Sequence, residues 1–280
     1  MEKINNIKID QLRINIPYSW AVKKWKKSNK SEDLPVEVLM IDNLFYFKKI
    51  FKKGEDGRAH NGYTSAYIYG PTENGGKITI EWNRNRMDMG ISINFTALGK
   101  ILYEQLAPVH SIVVDWQRII KEVYVDYHGH LSRIDICVDL INYGFSINDI
   151  YSRLKSEKSF FLDSKDRKIG LNRMKVIGSG NEIQCIYVGS RKSDQMLRAY
   201  SKKDEQMRPN GIYRALAMKA NDWIRLEAEV KYRSCRRLGQ FIADFDKNKN
   251  MYPYLLDYIL EHWSLVDHEE VEGDKEKRKV

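Results

Sequence analysis

The sequence contains few cysteines and no long hydrophobic run. Its three cysteines, Cys137, Cys185 and Cys235, are scattered and include no C-x-x-C pair. This argues against a disulfide framework and a zinc knuckle, and it favours a reducing, cytoplasmic location. No apolar run reaches the ~18 residues of a membrane span, and the first residues carry no signal-peptide core, so no membrane partner is expected. The sequence also lacks internal repeats and low-complexity linkers.

The chain is long enough to bury a substantial core. Its 280 residues can form one large domain or two ordinary ones. Hydrophobic residues make up 42% of the sequence and aromatic residues 11%, a composition that excludes general disorder.

Basic residues outnumber acidic ones. The sequence has 47 Lys and Arg against 38 Asp and Glu, a formal net charge of +9. Each Lys or Arg that neutralises a phosphate releases counterions, so this balance favours DNA or RNA as a partner.

Strand and helix patterns alternate along the chain. Residues 133–140 and 223–231 alternate between apolar and polar side chains, as half-buried strands do, and Asn74-Gly75-Gly76 is a hairpin signal. Helices are predicted over residues 97–106, 111–123, 147–154, 236–245 and 252–263. Strand groups with hairpin turns, interrupted by helices, predict an α+β fold in which helices flank a mainly antiparallel central sheet.

Three predicted strands, residues 133–140, 196–200 and 223–231, carry ionisable residues opposite their apolar rows. The pairs are Asp135 with Asp139, Arg198 with Tyr200, and Glu227 with Glu229. Residues two or four apart on a strand share a face, so each pair is co-facial. Taken alone, each pair also fits the wet face of an ordinary sheet.

If the three strands are neighbours, carboxylates flank a tyrosine hydroxyl on one face of the sheet. Oxygen ligands suit Mg²⁺ or Mn²⁺. A phenol has a pKa near ~10, so a cation or Arg198 must favour its ionised form. The chemistry predicted from this pattern is phosphoryl transfer with Tyr200 as nucleophile. A second pattern, His128-Gly129-His130, is interpreted as a turn rather than a metal motif.

Three blocks of sequence carry a family resemblance, which spans about residues 7–245. Residues 132–139 (SRIDICVD) resemble a T/S-R-L-D strand that ends in a further Asp. Residues 186–205 (IYVGSRKSDQMLRAYSKKDE) resemble Y-hydrophobic-G-x-R-x-S followed by R-x-Y-x-K-K-x-E, and residues 224–231 (IRLEAEVK) are similar to R-V-E-I-E-L-K. The blocks resemble, in order, those of the Rep_trans family. Its members are rolling-circle replication initiators of plasmids of the staphylococcal tetracycline-plasmid type and the related relaxases of integrative conjugative elements.

The resemblance implies roles for individual residues. Tyr200, rather than Tyr187, would attack a DNA phosphodiester with the help of Arg198, forming a 5′-phosphotyrosine link and freeing a 3′-OH. The implied ligands of Mg²⁺ or Mn²⁺ are Asp135, Glu227, Glu229 and Asp139. The implied DNA contacts are Arg191, Lys192, Lys202, Lys203 and Arg133.

The resemblance also implies a function and partners. The chain is expected to be a sequence-specific, metal-dependent DNA nickase and strand transferase (a nicking-closing endonuclease) of a mobile element that starts rolling-circle replication. The alternatives are a conjugative relaxase with the same chemistry and a DNA-binding regulator that does not cleave. The implied partners are a double-strand origin or origin of transfer with a single-stranded or hairpin nick site, a host helicase, and a second copy of the chain in a homodimer. Residues 1–245 would form the nicking domain, residues 246–268 a helical extension, and residues 269–280 a disordered charged tail.

Overall fold

The structure is a computed structural model that describes residues 2–24, 34–51, 53–70, 75–179 and 182–268. The chain falls into two compact units. The first unit comprises Met1–Ile9, Asp135–Val230 and Asn250–Val280, and the second comprises Asp10–Ile134 and Lys231–Lys249. The predicted tail at 269–280 and the Asn74 position of the hairpin signal lie outside the described residues.

The second unit contains five strands, β1 (Ile4–Ile16, which begins in the first unit), β2 (Glu55–Gly57), β3 (Ser65–Tyr69), β4 (Ile78–Trp82) and β5 (Ile91–Phe95). In this unit they form an antiparallel run in the order β2-β3-β4-β5-β1. Its helices are α1 (Tyr18–Lys24), α2 (Val36–Phe45), α3 (Phe47–Ile50), α4 (Ala97–Leu106), α5 (Trp116–Val125) and α9 (Tyr232–Asp244).

The first unit repeats this strand order, as β9-β10-β11-β12-β6. Its strands are β6 (His130–Ile141, which begins in the second unit), β9 (Met174–Ser179), β10 (Glu182–Val188), β11 (Gln195–Ser201) and β12 (Trp223–Lys231). A smaller three-stranded sheet contains β7 (Ser159–Leu162), β8 (Lys168–Ile169) and β13 (Ser264–Asp267). The helices of the first unit are α6 (Ile147–Lys155), α7 (Lys202–Met207), α8 (Arg214–Lys219) and α10 (Tyr252–His262).

Each strand run has an apolar face that forms a core. In the first unit, Val138, Leu140 and Leu226 line an apolar cavity together with side chains of α6 and α10. In the second unit, the aromatic rings of Phe45, Phe47 and Phe95 pack against one another. Because side chains alternate along a strand, burial of the apolar face leaves the polar residues of each unit on the other face of that unit's own strands.

The observed elements confirm the predicted α+β class with a large, mainly antiparallel sheet. The strand predicted over residues 223–231 and the helix predicted over residues 97–106 have the predicted bounds. The helix predicted to begin at Ser111 begins at Trp116 instead, because Ser111 has a φ of 59° and Asp115 caps the helix by accepting a hydrogen bond from the backbone N–H of Arg118. No helix among the described residues is long and apolar enough to cross a membrane.

The predicted extension at 246–268 contains two ordered elements. These are α10 and β13, and β13 pairs with β7 of the first unit through Leu265 and Phe161. Both elements belong to the first unit, which takes up the chain from Asn250 onward and also contains most of the predicted site residues.

Candidate active site

The predicted catalytic residues and metal ligands lie on the polar face of the strands of the first unit. In the register between β11 and β12, Arg198 lies opposite Glu227, and Tyr200 lies opposite Arg225. Residues that lie directly opposite each other on paired strands share a face. The three strands that the sequence analysis singled out are consecutive, in the order β6-β12-β11, so their ionisable side chains come together.

Tyr200 contacts a buried carboxylate. Its Oη donates a hydrogen bond to Oε2 of Glu227 over 3.0 Å, and Glu227 is only 1% exposed. Tyr200 is half-buried, and its ring lies 5.8 Å from Nζ of Lys202. The phenol is therefore in a polar, charged environment, as the proposed chemistry requires.

Arg198 lies on the other side of the same carboxylate. Its Nη2 donates a hydrogen bond to Oε1 of Glu227, and its guanidinium carbon lies 5.7 Å from the centre of the Tyr200 ring. Burial acts to lower the pKa of Arg198. The attraction of Glu227, assisted by Tyr200 and Asp135, outweighs it and raises that pKa above the ordinary value. Arg198 is therefore a permanent cation beside the phenol.

One donor of Arg198 is unused. Its Nε is buried and, within the described part of the chain, has no hydrogen-bond partner. An unpaired buried N–H costs about 1–3 kcal/mol, which an anionic oxygen bound at the site would remove. This unpaired donor fits a phosphate ligand.

Asp135 brings a second buried carboxylate to the site. It lies on β6 and is 1% exposed. Its negative charge contributes to the raised pKa of Arg198, which places it within electrostatic reach of that guanidinium. Glu229, two residues beyond Glu227 on the same face of β12, is half-buried.

The carboxylate oxygens of Asp135, Glu227 and Glu229 are the kind of donor that a hard divalent cation prefers. Among the described residues no group of three or more His, Cys, Asp or Glu side chains is arranged to hold a metal ion. The buried carboxylates of Asp135 and Glu227 and the half-buried Glu229 are nevertheless the oxygen donors that Mg²⁺ or Mn²⁺ takes, together with substrate phosphates and water. The donor set therefore fits such an ion when a phosphate supplies further oxygens.

Asp139 is already fully engaged by protein donors. Nε and Nη2 of Arg225 donate to its two oxygens over 2.7 and 2.8 Å. Nε1 of Trp223 donates to it over 2.8 Å, and Nζ of Lys8 lies 3.5 Å away. Burial acts to raise the pKa of Asp139, but Arg225, with Lys8 and Trp223, holds that pKa below its ordinary value. Asp139 and Arg225 thus form a buried ion pair.

This ion pair was not predicted from the sequence, in which Arg225 was given no role. The signal was present, because Trp223 and Arg225 alternate with the apolar residues of the same strand. Only the adjacency of β6 and β12 identifies Asp139 as the group that Arg225 contacts.

The predicted DNA contacts occupy different environments. Arg191 and Lys192 are exposed in the turn between β10 and β11. Lys202 is 7% exposed and its Nζ donates to Glu205, while Nζ of Lys203 donates to the backbone oxygen of Asn221 over 3.0 Å. Arg133 lies on β6 two residues before Asp135, in the part of that strand assigned to the second unit.

The motif His128-Gly129-His130, interpreted from the sequence as a turn, joins α5 to β6. His128 has a φ of 48° and stacks on Trp20, and β6 begins at His130. Burial, assisted by Arg236, lowers the pKa of His130 to about 4.

A family model and a solved structure match the chain. The model of the Rep_trans family, described as replication initiation factor, matches residues 129–280, more than half of the chain. Among solved structures, a rolling circle replication initiator protein from Geobacillus stearothermophilus has a similar fold. Its TM-score is 0.64 at 18% sequence identity, over 99% of this chain and 91% of that chain. No curated protein matches the sequence.

Proposed function

The chain belongs to the replication initiation factor family, as its sequence motifs predicted, and on that premise we propose that it nicks DNA by attack of Tyr200 on a phosphodiester. The observation that carries the proposal is the hydrogen bond from Oη of Tyr200 to Oε2 of Glu227 over 3.0 Å, with Arg198 on the other oxygen of Glu227. A nucleophile, a proton acceptor and a cation thus lie together on one face.

The proposed reaction is a transesterification. As the phenol oxygen bonds to phosphorus, its proton passes to Oε2 of Glu227, the nearest acceptor. The bond from phosphorus to the 3′ oxygen breaks, and that oxygen takes a proton to become the free 3′-OH. The 5′-phosphate stays on Tyr200. One phosphoester bond forms as one breaks, so the step is reversible and the strand can be rejoined.

Arg198 would bind and orient the phosphate. Its unpaired Nε would donate to a non-bridging oxygen while Nη2 keeps Glu227 in place. A fixed cation beside the attacked phosphate also offsets the negative charge that develops there.

The metal ligands in this proposal are Asp135 and Glu229, because both oxygens of Glu227 accept from Tyr200 and Arg198 and its role is the proton transfer. A divalent cation bound there, Mg²⁺ or Mn²⁺, would withdraw charge from the phosphate. Asp139, which the family resemblance also implied as a ligand, is assigned instead to holding Arg225, because its oxygens accept from Arg225 and Trp223.

The partners follow from the family. The proposal includes origin DNA with a single-stranded or hairpin nick site, a helicase that unwinds from the nick, and a homodimer whose second tyrosine completes a second strand transfer. Arg191 and Lys192 are the exposed residues proposed to contact DNA phosphates, and Arg133, Lys202 and Lys203 are secondary candidates. Residues 1–245 are proposed as the nicking domain.

The test uses supercoiled plasmid that carries the DNA flanking the coding sequence, incubated with the protein and Mg²⁺ or Mn²⁺. The expected product is an open circle with the protein attached covalently to a 5′-phosphate. Tyr200→Phe removes only the hydroxyl and should abolish this product, by more than ~10³-fold, while plasmid binding persists.

Tyr254→Phe is the matched control. Tyr254 is 42% exposed on α10 and has no role in the proposed reaction, so loss of its hydroxyl should preserve the covalent product. Nicking by Tyr200→Phe would contradict the proposal. Binding of the plasmid without any nicking by the unmodified chain would identify a non-cleaving regulator, the alternative from a different class.

A further inference from the structure

One row of side chains crosses four strands on the face that carries Tyr200. Glu227 lies opposite Arg198, Arg198 opposite Tyr187, and Tyr187 opposite Lys175 on β9. Strands in a sheet lie ~4.8 Å apart, and opposite residues share a face. The row therefore leads from the candidate active site to Lys175, ~14 Å away on the last strand of this run.

A basic cavity lies at the end of this row. Its volume is about 820 Å³, and both Tyr187 and Lys175 line it. Its other cations are Arg173, Arg191 and Lys192, and all four cationic side chains are exposed. We use the name basic cavity for the space that these five residues line.

The acidic side chains that line the basic cavity do not neutralise its four cationic side chains. Asp163 also lines it, but that carboxylate accepts two hydrogen bonds from Arg167, over 3.0 and 2.7 Å, and is neutralised locally. Asp194 is the other acid of the lining. Four cations against one remaining carboxylate give a surface that attracts a polyanion.

The turn between β10 and β11 holds two of these cations in place. The guanidinium of Arg191 lies over the ring of Tyr187, 4.6 Å from its centre, and donates to the Tyr187 hydroxyl. The backbone N–H groups of Lys192 and Ser193 donate to Ser190. The ring and hydroxyl of Tyr187 thus fix the direction of the Arg191 guanidinium at the edge of the basic cavity.

We propose that the basic cavity binds single-stranded DNA next to the scissile phosphate, with Arg173 and Lys175 contacting backbone phosphates. This inference rests on the proposed function, because the strand must reach Tyr200 along the same row. A recess at the end of this row admits extruded nucleotides, whereas a duplex presents its two backbones on a convex surface. The mode is that of single-strand binding sites, in which a positively charged groove follows the backbone.

The test measures binding of a fluorescein-labelled dT₁₂ oligonucleotide by fluorescence anisotropy, on the full chain carrying Tyr200→Phe so that no covalent product forms. Arg173→Gln with Lys175→Gln should weaken binding roughly tenfold at ~0.1 M salt. The slope of log K against log salt should fall by about 1.4, that is ~0.7 for each phosphate of a single strand that the variant no longer neutralises.

The matched control removes the same charge elsewhere. Lys155 and Lys158 are exposed at the end of α6, whose buried side packs on the apolar face of the strands. Lys155→Gln with Lys158→Gln should leave both affinity and slope nearly unchanged. Unchanged thermal unfolding of both double variants would show that each is folded.

Two results would overturn the inference. One is an unaltered affinity and salt slope in the Arg173, Lys175 double variant, and the other is an equal loss in the control. Nicking by the unmodified chain is scored separately. If the chain nicks plasmid but the affinity for dT₁₂ does not depend on Arg173 and Lys175, the inference about the basic cavity is wrong and the proposed function is retained. If the affinity depends on these residues but no nicking occurs, the proposed function is wrong and the inference about the basic cavity is retained.

Discussion

The two units have the same strand order but polar faces of different chemistry. In the first unit this face carries a tyrosine hydroxyl with Glu227, Arg198 and Asp135 close to it. In the second unit, the strands β1, β5 and β4 also place polar residues on one face, and the register aligns them. These residues are Arg13, Asn15, Thr79, Glu81, Ser92 and Asn94.

The difference lies in what surrounds the buried carboxylate of each face. Glu81 is 3% exposed, but it accepts a hydrogen bond from the backbone N–H of His60 over 2.9 Å, and its register neighbour Ser92 is neutral. Glu227, by contrast, contacts a guanidinium and a phenol. The same backbone framework thus supports a structural polar network in one unit and a potential reaction site in the other. The difference is that Glu227 contacts both a guanidinium and a phenol directly, whereas Glu81 is contacted by the backbone N–H and the ring of His60.

The sharpest test of this comparison removes one buried carboxylate from each face. Glu227→Gln keeps the size of the side chain but removes the proton acceptor for Tyr200 and the charge beside Arg198. Plasmid nicking should fall by ~10²–10³-fold, the range for loss of a positioned acid-base group. Glu81→Gln should keep nicking within about threefold, because Gln can still accept from His60. Equal losses in the two variants would contradict the division of roles.

The second test asks whether Asp139 is structural or catalytic. Asp139→Asn leaves buried Arg225 without its charge partner and should lower the free energy of unfolding by about 3–5 kcal/mol at pH 7, measured by urea denaturation. Because the pKa of Asp139 is lowered in the fold, the pair stabilises the protein above the unfolded pKa of ~3.9. That stabilisation is lost as pH falls through the folded value.

The control for this second test is an exposed ion pair in the other unit. Asp88→Asn breaks the contact with Arg86, whose side chain is largely exposed like that of Asp88, and should leave the urea midpoint unchanged. A metal-ligand role would produce the opposite pattern for Asp139→Asn, with normal stability and a nicking rate that excess Mg²⁺ partly restores.

The smallest expected effect concerns the second unit in mild acid. Burial lowers the pKa of His130 to about 4, below the ~6.5 of an unfolded chain. Between these two values the unfolded chain binds the extra proton, so stability falls as pH falls from ~6.5 to ~4. Since the imidazole is half-buried, we expect a loss of about 1–2 kcal/mol.

His130→Gln should remove this part of the pH dependence, measured as the urea midpoint at pH 7, 6, 5 and 4. The neighbouring His128 is exposed, so His128→Gln should keep the slope of the unmodified chain. An unchanged slope in His130→Gln would show that another group causes it.

Much of the fold was predictable because local patterns were unambiguous. The strand Trp223–Lys231 alternates without interruption, and the helix Ala97–Leu106 begins after Thr96, whose hydroxyl accepts from the backbone N–H of Gly99. The helix predicted over 236–245 begins earlier, at Tyr232, in a segment whose exposed arginines lack an apolar signal. The shared strand order of the two units was not predictable, because it repeats in topology and not in sequence.

The residues that share a face could be read from the amino-acid sequence alone: Asp135 with Asp139, Arg198 with Tyr200, and Glu227 with Glu229. This follows from the two-residue period of a strand, which depends only on local backbone geometry. Which strands pair with one another could be seen only in the folded chain. Pairing and register depend on contacts between residues far apart in the chain. They join Tyr200 and Arg198 to Glu227, assign Asp139 to Arg225, and extend the row of side chains to Lys175.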